Sequence, residues 1–170
     1  ATDATATEGD AGDTVLFTIS RSQDNGTAST VDFDLGSSAG SALEASDIAQ
    51  IVVTDSNGST ILTTPAEIAD FLATGTNVTL SGADTATVEL TPFDDNVLEN
   101  TEAFSANLGT ATNGTVGTAT VAADFRDEPG TPTNPRNEAI TIDVAATDAT
   151  ATEGDAGDTV LFTISRSQDN

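Results

Sequence analysis

Lysine, histidine, cysteine, methionine, tryptophan and tyrosine are all missing from this chain of 170 residues. Without cysteine there is no disulfide scaffold and no thiolate to hold a metal or attack a substrate. Without histidine or lysine, general-base and nucleophile duty would fall to carboxylates or an unassisted hydroxyl, so an enzyme is the least favoured class. Positive charge is scarce as well: four arginines face 28 acidic residues, a net charge of −24. Such a chain repels nucleic-acid phosphates and lacks the basic patch that binding them needs. No apolar run approaches the ~20 residues of a membrane-spanning helix. No signal peptide is visible, and an internal fragment of a mature protein would show none either. The apolar residues present are Val, Ile, Leu, Ala and seven Phe, enough for one modest core. Something must offset the mutual repulsion of so many carboxylates, and bound divalent cations are the obvious agents.

Residues 1–25, ATDATATEGDAGDTVLFTISRSQDN, recur letter for letter as residues 146–170. Self-similarity at a fixed period is the signature of a repeat array. Two readings are open: an engineered duplication, or one period of a tandem array followed by the start of the next. On the second reading the period is 145 residues, the distance from Ala1 to Ala146.

Within the period, apolar and polar residues alternate. Thr14–Ser20 places Val15, Phe17 and Ile19 on one face, and Thr30–Leu35 does the same with Val31, Phe33 and Leu35. That period of two belongs to half-buried strands. Between them Asn25-Gly26 tolerates the positive φ of a tight hairpin turn. Further strands are expected at Ile51–Thr54, Thr60–Thr63, Asn77–Leu80, Thr85–Pro92, Ala103–Leu108 and Thr115–Ala123, separated by Gly, Asn, Asp and Ser clusters. Many short strands joined by such turns imply an antiparallel sandwich or barrel.

One segment breaks the pattern. In residues 64–73, Thr64 suits an N-cap, Pro65 the first helical position and Glu67 the third residue of a capping box. Ile68, Phe71 and Leu72 would then share a face, which predicts a short helix laid on the sandwich, against the alternative of a polar loop. Residues 129–136 are proline-rich and polar, as in a semi-rigid linker. The expected organisation is therefore a domain over 1–128 that lacks the start of its first strand, a linker over 129–136, and the first two strands of an identical domain over 137–170.

Acidic side chains are densest at Asp94-Asp95-Asn96-Val97-Leu98-Glu99-Asn100-Thr101-Glu102, between two expected strands. Adjacent carboxylates repel unless a cation sits among them, and Ca²⁺ takes six to eight oxygens from carboxylates and carbonyls. A merely solvated acidic loop is the alternative for any such cluster.

The order of motifs resembles a Calx-β domain. Glu8-Gly9-Asp10 precedes TVLFTISRS; then come VDFDL, a loop with Ser46-Asp47, TATVELTPF, DDNVLENTEAF and a closing GTATVAADFRD. The spacing of Asp94, Asp95, Glu99, Glu102 and Phe104 is the most specific part of the likeness, which covers nearly all of 1–128. The resemblance implies an all-β, seven-stranded immunoglobulin-like antiparallel sandwich with the short helix inserted between Asp47 and Asp94. It also implies Ca²⁺ at one end of the sandwich, held by Glu8, Asp47, Asp94, Asp95, the Val97 carbonyl, Glu99, Glu102 and Asp127, with Glu153 repeating Glu8. Phe125 and Arg126 stand where the family's fullest sites carry carboxylates. An arginine there could replace one cation, so about one to three ions per domain are expected.

These features favour a calcium-binding structural or adhesive repeat of a large bacterial extracellular or cell-surface protein. Its partners would be neighbouring repeats and other copies of the chain. The alternative is a calcium-sensing regulatory module. A sensor needs one switching site, whereas verbatim copies serve length and avidity.

Overall fold

Val15, Phe17 and Ile19 are buried, whereas Leu16 is half-buried and Thr18 and Ser20 are exposed, so the alternation read from the sequence is the alternation of the fold. The computed structural model describes residues 1–37, 43–82, 85–95, 100–127, 142–153 and 155–166. The chain divides into two compact units, Ala1–Glu128 and Pro129–Asn170.

The first unit contains β1 (Thr5–Thr7), β2 (Val15–Ser20), β3 (Ser29–Ser37), β4 (Ile48–Asp55), β5 (Gly58–Leu62), α1 (Pro65–Thr74), β6 (Thr76–Leu80), β7 (Thr85–Pro92), β8 (Glu102–Thr112) and β9 (Thr120–Arg126). A five-stranded sheet runs β1-β9-β8-β3-β6 and a four-stranded sheet runs β2-β7-β4-β5. Every neighbouring pair is antiparallel except β1 on β9. The fold is an all-β sandwich with one short helix. Its nine strands are the seven that the resemblance implies plus β5 and β6, expected from the sequence as well, which flank α1 in the surplus between Asp47 and Asp94. With those two set aside, the second, fifth and fourth strands form one sheet and the third, sixth and seventh the other, the pairing of an immunoglobulin-type sandwich.

Inward-facing residues of both sheets make one core. Phe33, Phe104 and Phe125 are almost wholly inaccessible. The rings of Phe104 and Phe125 meet edge to face at 4.9 Å, and Phe17 touches both Phe33 and Phe104, at 6.1 and 6.4 Å between centroids. Such tilted contacts add to the burial of area, which is the main stabilising term.

The helix starts where the capping box places it. Thr64 Oγ1 accepts the Glu67 N–H at 3.3 Å, and the Glu67 carboxylate accepts the Thr64 N–H at 3.1 Å. α1 packs on β3 and β4, one strand of each sheet, and buries Ile68 and Phe71. Phe71 reaches Phe33 at 6.2 Å, so the inserted helix joins the core rather than lying loosely over it. Gly75 ends it at φ 67° and ψ −160°, a region open essentially to glycine, and a Cβ there would run into the Phe33 carbonyl.

The last strand differs from expectation. Thr115–Ala123 was expected, but β9 occupies Thr120–Arg126, while β8 runs past Leu108 to Thr112. The reason is non-local: β3 continues beside β8 after a register shift between Val31 and Phe33, and the Thr30 and Thr112 hydroxyls meet at 2.6 Å.

In the second unit, β10 (Ile142–Asp148) pairs antiparallel with β11 (Leu161–Arg166), from Ile142 opposite Arg166 to Asp148 opposite Leu161. Every residue of β10 is exposed. The expected linker 129–136 and the first residues of the segment expected over 137–170 lie outside the described residues. Among the described residues no helix is long and apolar enough to cross a membrane.

Candidate metal centre

Topology gathers the acidic positions of the first unit at one end of the sandwich. β4 begins where β7 finishes, since Ile48 pairs with Pro92. The next strand, β8, belongs to the other sheet and begins at Glu102, which pairs with Phe125 near the end of β9. β1 runs parallel to β9, so it too finishes at this end. Glu8, Asp47, Asp94, Asp95, Glu102 and Asp127 therefore stand at strand termini around one mouth.

Glu102 is opposite Phe125 and two residues before buried Phe104, so the period of two turns it toward the interior. Glu8 is buried just past the end of β1, and Asp127 follows β9 half-buried. The Glu8 N–H donates to the Arg126 carbonyl at 2.8 Å, extending the β1–β9 pairing by one residue. Glu8 is only 2% exposed, and its Oε2, like the Oε2 of Glu102, is closed to solvent. Glu8, Asp95, Glu102 and Asp127 each engage neighbouring groups.

Asp47 comes from the opposite sheet and is 9% exposed. Its carboxylate accepts the Glu44 N–H and, at 2.9 Å, the Ser46 hydroxyl, while its carbonyl accepts the Phe93 N–H at 2.9 Å. It therefore ties the entry of β4 to the exit of β7. These bonds leave lone pairs on both carboxylate oxygens. Asp94 is exposed and Asp95 half-buried; Val97 and Glu99 lie outside the described residues. Glu153 is exposed on the second unit, unlike its copy Glu8.

Two features differ from the sequence reading. Arg126 does not stand among the inward carboxylates: alternation turns it outward, half-exposed, where its Nε pairs with Asp124 Oδ1 at 2.9 Å. Asp13, which the sequence reading did not single out, stands in the turn that follows Glu8. Its carboxylate accepts the Thr7 N–H at 2.8 Å and closes that turn.

The donors are hard oxygens only, the set that suits Ca²⁺ or Mg²⁺ rather than a soft metal. Among the described residues no three such groups lie close enough together to hold one ion. The donor chemistry is of the kind a hard cation takes, but the described residues by themselves do not assemble a site for one.

No protein-family model matches the chain, and no curated protein is significantly similar to it. Solved structures are similar at the level of fold. They include the calcium binding domain CBD12 of CALX1.1 (16% identity, TM-score 0.47, 72% of this chain and 42% of that one). The apo-form Calx CBD1 domain is similar at 15% identity and a TM-score of 0.49, over 75% of this chain and 91% of that one. CBD12 from CALX1.2 is similar at 15% identity and a TM-score of 0.46, over 73% and 42%. The chain thus spans under half the length of two of these structures and most of the third. The fold class rests on the chain's own sheets, and these loose similarities add nothing about its function.

Proposed function

We propose that the chain is a calcium-binding structural repeat of a long extracellular or cell-surface array, in which Ca²⁺ folds and stiffens each sandwich. The observation that supports this reading is that acidic residues of both sheets stand at the same end of the sandwich, with Glu8 buried there. Glu8, Asp47, Asp94, Asp95, Glu102 and Asp127 would hold the ion, with the Val97 carbonyl and Glu99 from the intervening loop. Glu153 would serve the next repeat. When bound, calcium supplies positive charge that relieves the repulsion among these groups. The verbatim repetition of residues 1–25 as 146–170 supports an array of identical domains of period 145, with a linker over 129–136. The lack of histidine, lysine and cysteine supports a non-enzymatic role.

Thermal melting in calcium and in a chelator tests the reading. Free ion at 100 times its Kd adds about 2.7 kcal/mol per site, so calcium should raise Tm clearly. Asp95→Asn should reduce that rise while leaving the chelated melt nearly unchanged; an equal loss in both conditions would overturn the assignment. Saturation near millimolar calcium fits a scaffold, and cooperative titration at micromolar calcium fits the sensor alternative.

A further inference from the structure

β5 is the outer strand of the four-stranded sheet. β4 pairs with one side of it, and among the described residues no strand pairs with the other. The two strands are joined by the two-residue loop Ser56-Asn57, with Asp55 opposite Gly58. In such a hairpin the pair flanking the loop is hydrogen-bonded, and bonded pairs then alternate with unbonded ones. Ser59 and Ile61, opposite Thr54 and Val52, fall in the unbonded pairs, so their N–H and C=O groups point away from β4. The corresponding edge of the other sheet, β6, is closed. Thr79 donates its N–H to Asp55 Oδ2 at 2.9 Å, and its carbonyl accepts the Ser56 N–H at 3.0 Å. β5 has no such cover, and Gly58–Leu62 holds none of the charges or prolines that usually protect an edge. Ile61 is 57% exposed.

A pocket of about 360 Å³ opens between β5, α1 and the start of β6. Thr60 and Leu62 reach it from β5. They stand opposite buried Val53 and Ile51 and so face inward, yet Thr60 is exposed. Buried Val53 and Phe71 line the pocket together with Leu62, while Asp55, Glu67 and Asp70 supply carboxylates. Among the described residues no basic side chain lines it. Asp55 is engaged by the Asn57 and Thr79 N–H groups, and Glu67 uses Oε2 for the helix cap. Asp70 is exposed, and its carboxylate has no partner among the described residues.

We propose that the β5 edge docks an extended segment of a partner protein, and that a lysine or arginine of that segment fills the pocket. The segment adds a strand to the sheet, its backbone pairing with the free groups of Ser59 and Ile61. Its residue opposite Thr60 shares the inward face of Thr60, which directs that side chain into the pocket. There it meets an apolar wall and then carboxylates. A long aliphatic stem with a charged head satisfies both. Charge selects the partner: a second copy brings −24 against −24 and no lysine, and any acidic segment is repelled likewise. None of these groups is among those proposed to hold calcium, so the inference stands apart from the calcium reading.

Fluorescence anisotropy on the whole chain in calcium tests it, with the labelled heptapeptide Thr-Val-Thr-Arg-Thr-Val-Thr as probe. Two comparisons are the same peptide with glutamate for arginine, and the arginine peptide N-methylated at the two threonines that flank the arginine. Each should bind about tenfold or more weakly than the parent, the first for lost charge pairing and the second for lost strand pairing. Asp70→Asn should weaken the arginine peptide about tenfold and leave Tm unchanged. Glu89→Gln, on the outer face of the same sheet, should leave binding unchanged. No binding of the arginine peptide at millimolar concentration would overturn the inference. So would equal binding of the N-methylated peptide, which would reduce the effect to attraction by an acidic surface, or equal binding by the Asp70→Asn chain. Oligomers of the unmodified chain that the arginine peptide dissociates would give the edge to a second copy and overturn the choice of partner.

Discussion

Glu8 and Arg126 are joined through their backbones, the Glu8 N–H donating to the Arg126 carbonyl at 2.8 Å. This bond holds the end of β1 beside the end of β9 and leaves the two side chains on opposite faces. The glutamate is enclosed, and the arginine is turned out to Asp124. The calcium reading depends on that division, because an arginine on the inner face would compete with a cation.

Glu8→Gln should therefore diminish the rise of Tm in calcium, whereas Glu153→Gln should leave it unchanged. The two glutamates share the same local sequence, but only Glu8 sits at a completed sheet end. Isothermal titration of the two variants checks the difference. Equal affinity in the Glu8→Gln variant and the unmodified chain would remove Glu8 from the site.

Phe104→Ala should be among the most destabilising core changes. Its ring is wholly buried and contacts both Phe17 and Phe125. Truncating a buried phenylalanine costs about 3–5 kcal/mol through lost transfer energy and the cavity left behind. Urea unfolding of the first unit, with calcium fixed, measures it.

The inserted helix should respond to pH through its cap. The Thr64 hydroxyl, then the Thr64 and Thr63 backbone N–H groups, hold the Glu67 carboxyl below its ordinary value of 4.5. A carboxylate lowered on folding stabilises fully above its unfolded value and loses that contribution as pH falls through the lower folded value. The cap contribution should thus fade below pH 4.5, and Glu67→Gln should flatten that dependence. Thr64→Ala should cost about 0.5–2 kcal/mol at neutral pH. Hydrogen exchange of the α1 amides follows both.

Gly75→Ala should loosen the same helix at its other end. The backbone conformation there is one that side chains rarely adopt, and the Phe33 carbonyl occupies the space of a Cβ. A penalty of about 1–3 kcal/mol or more is expected from strain alone. Leu72→Ala, on a partly buried neighbour, serves as the comparison in a melting series.

Much of this fold could be read along the chain because its signals are local. Thr85–Pro92 is the strand its alternation predicts, and Thr64, Pro65 and Glu67 start the helix as their capping chemistry requires. β5 and β6 fall on expected strands, yet only the assembled sheets show that they extend the sandwich on either side of α1. The site was legible in part. The spacing of acidic residues marked one end of the sandwich, but Arg126 facing outward and Asp13 closing the turn after Glu8 are consequences of sheet register.

The repeated 25 residues separate the two kinds of information cleanly. Sequence alone determined that LFTIS forms a strand with Phe and Ile on one face, and it does so in both copies. Tertiary structure decided everything about burial: Phe17 is 3% exposed and Phe162 63%, Ile19 6% and Ile164 73%. Thr5–Thr7 becomes a strand on β9, while the identical Thr150–Thr152 does not. Alternation is written in the residues themselves, but removal of a face from water needs a second sheet, which only distant parts of the chain, or another molecule, can supply.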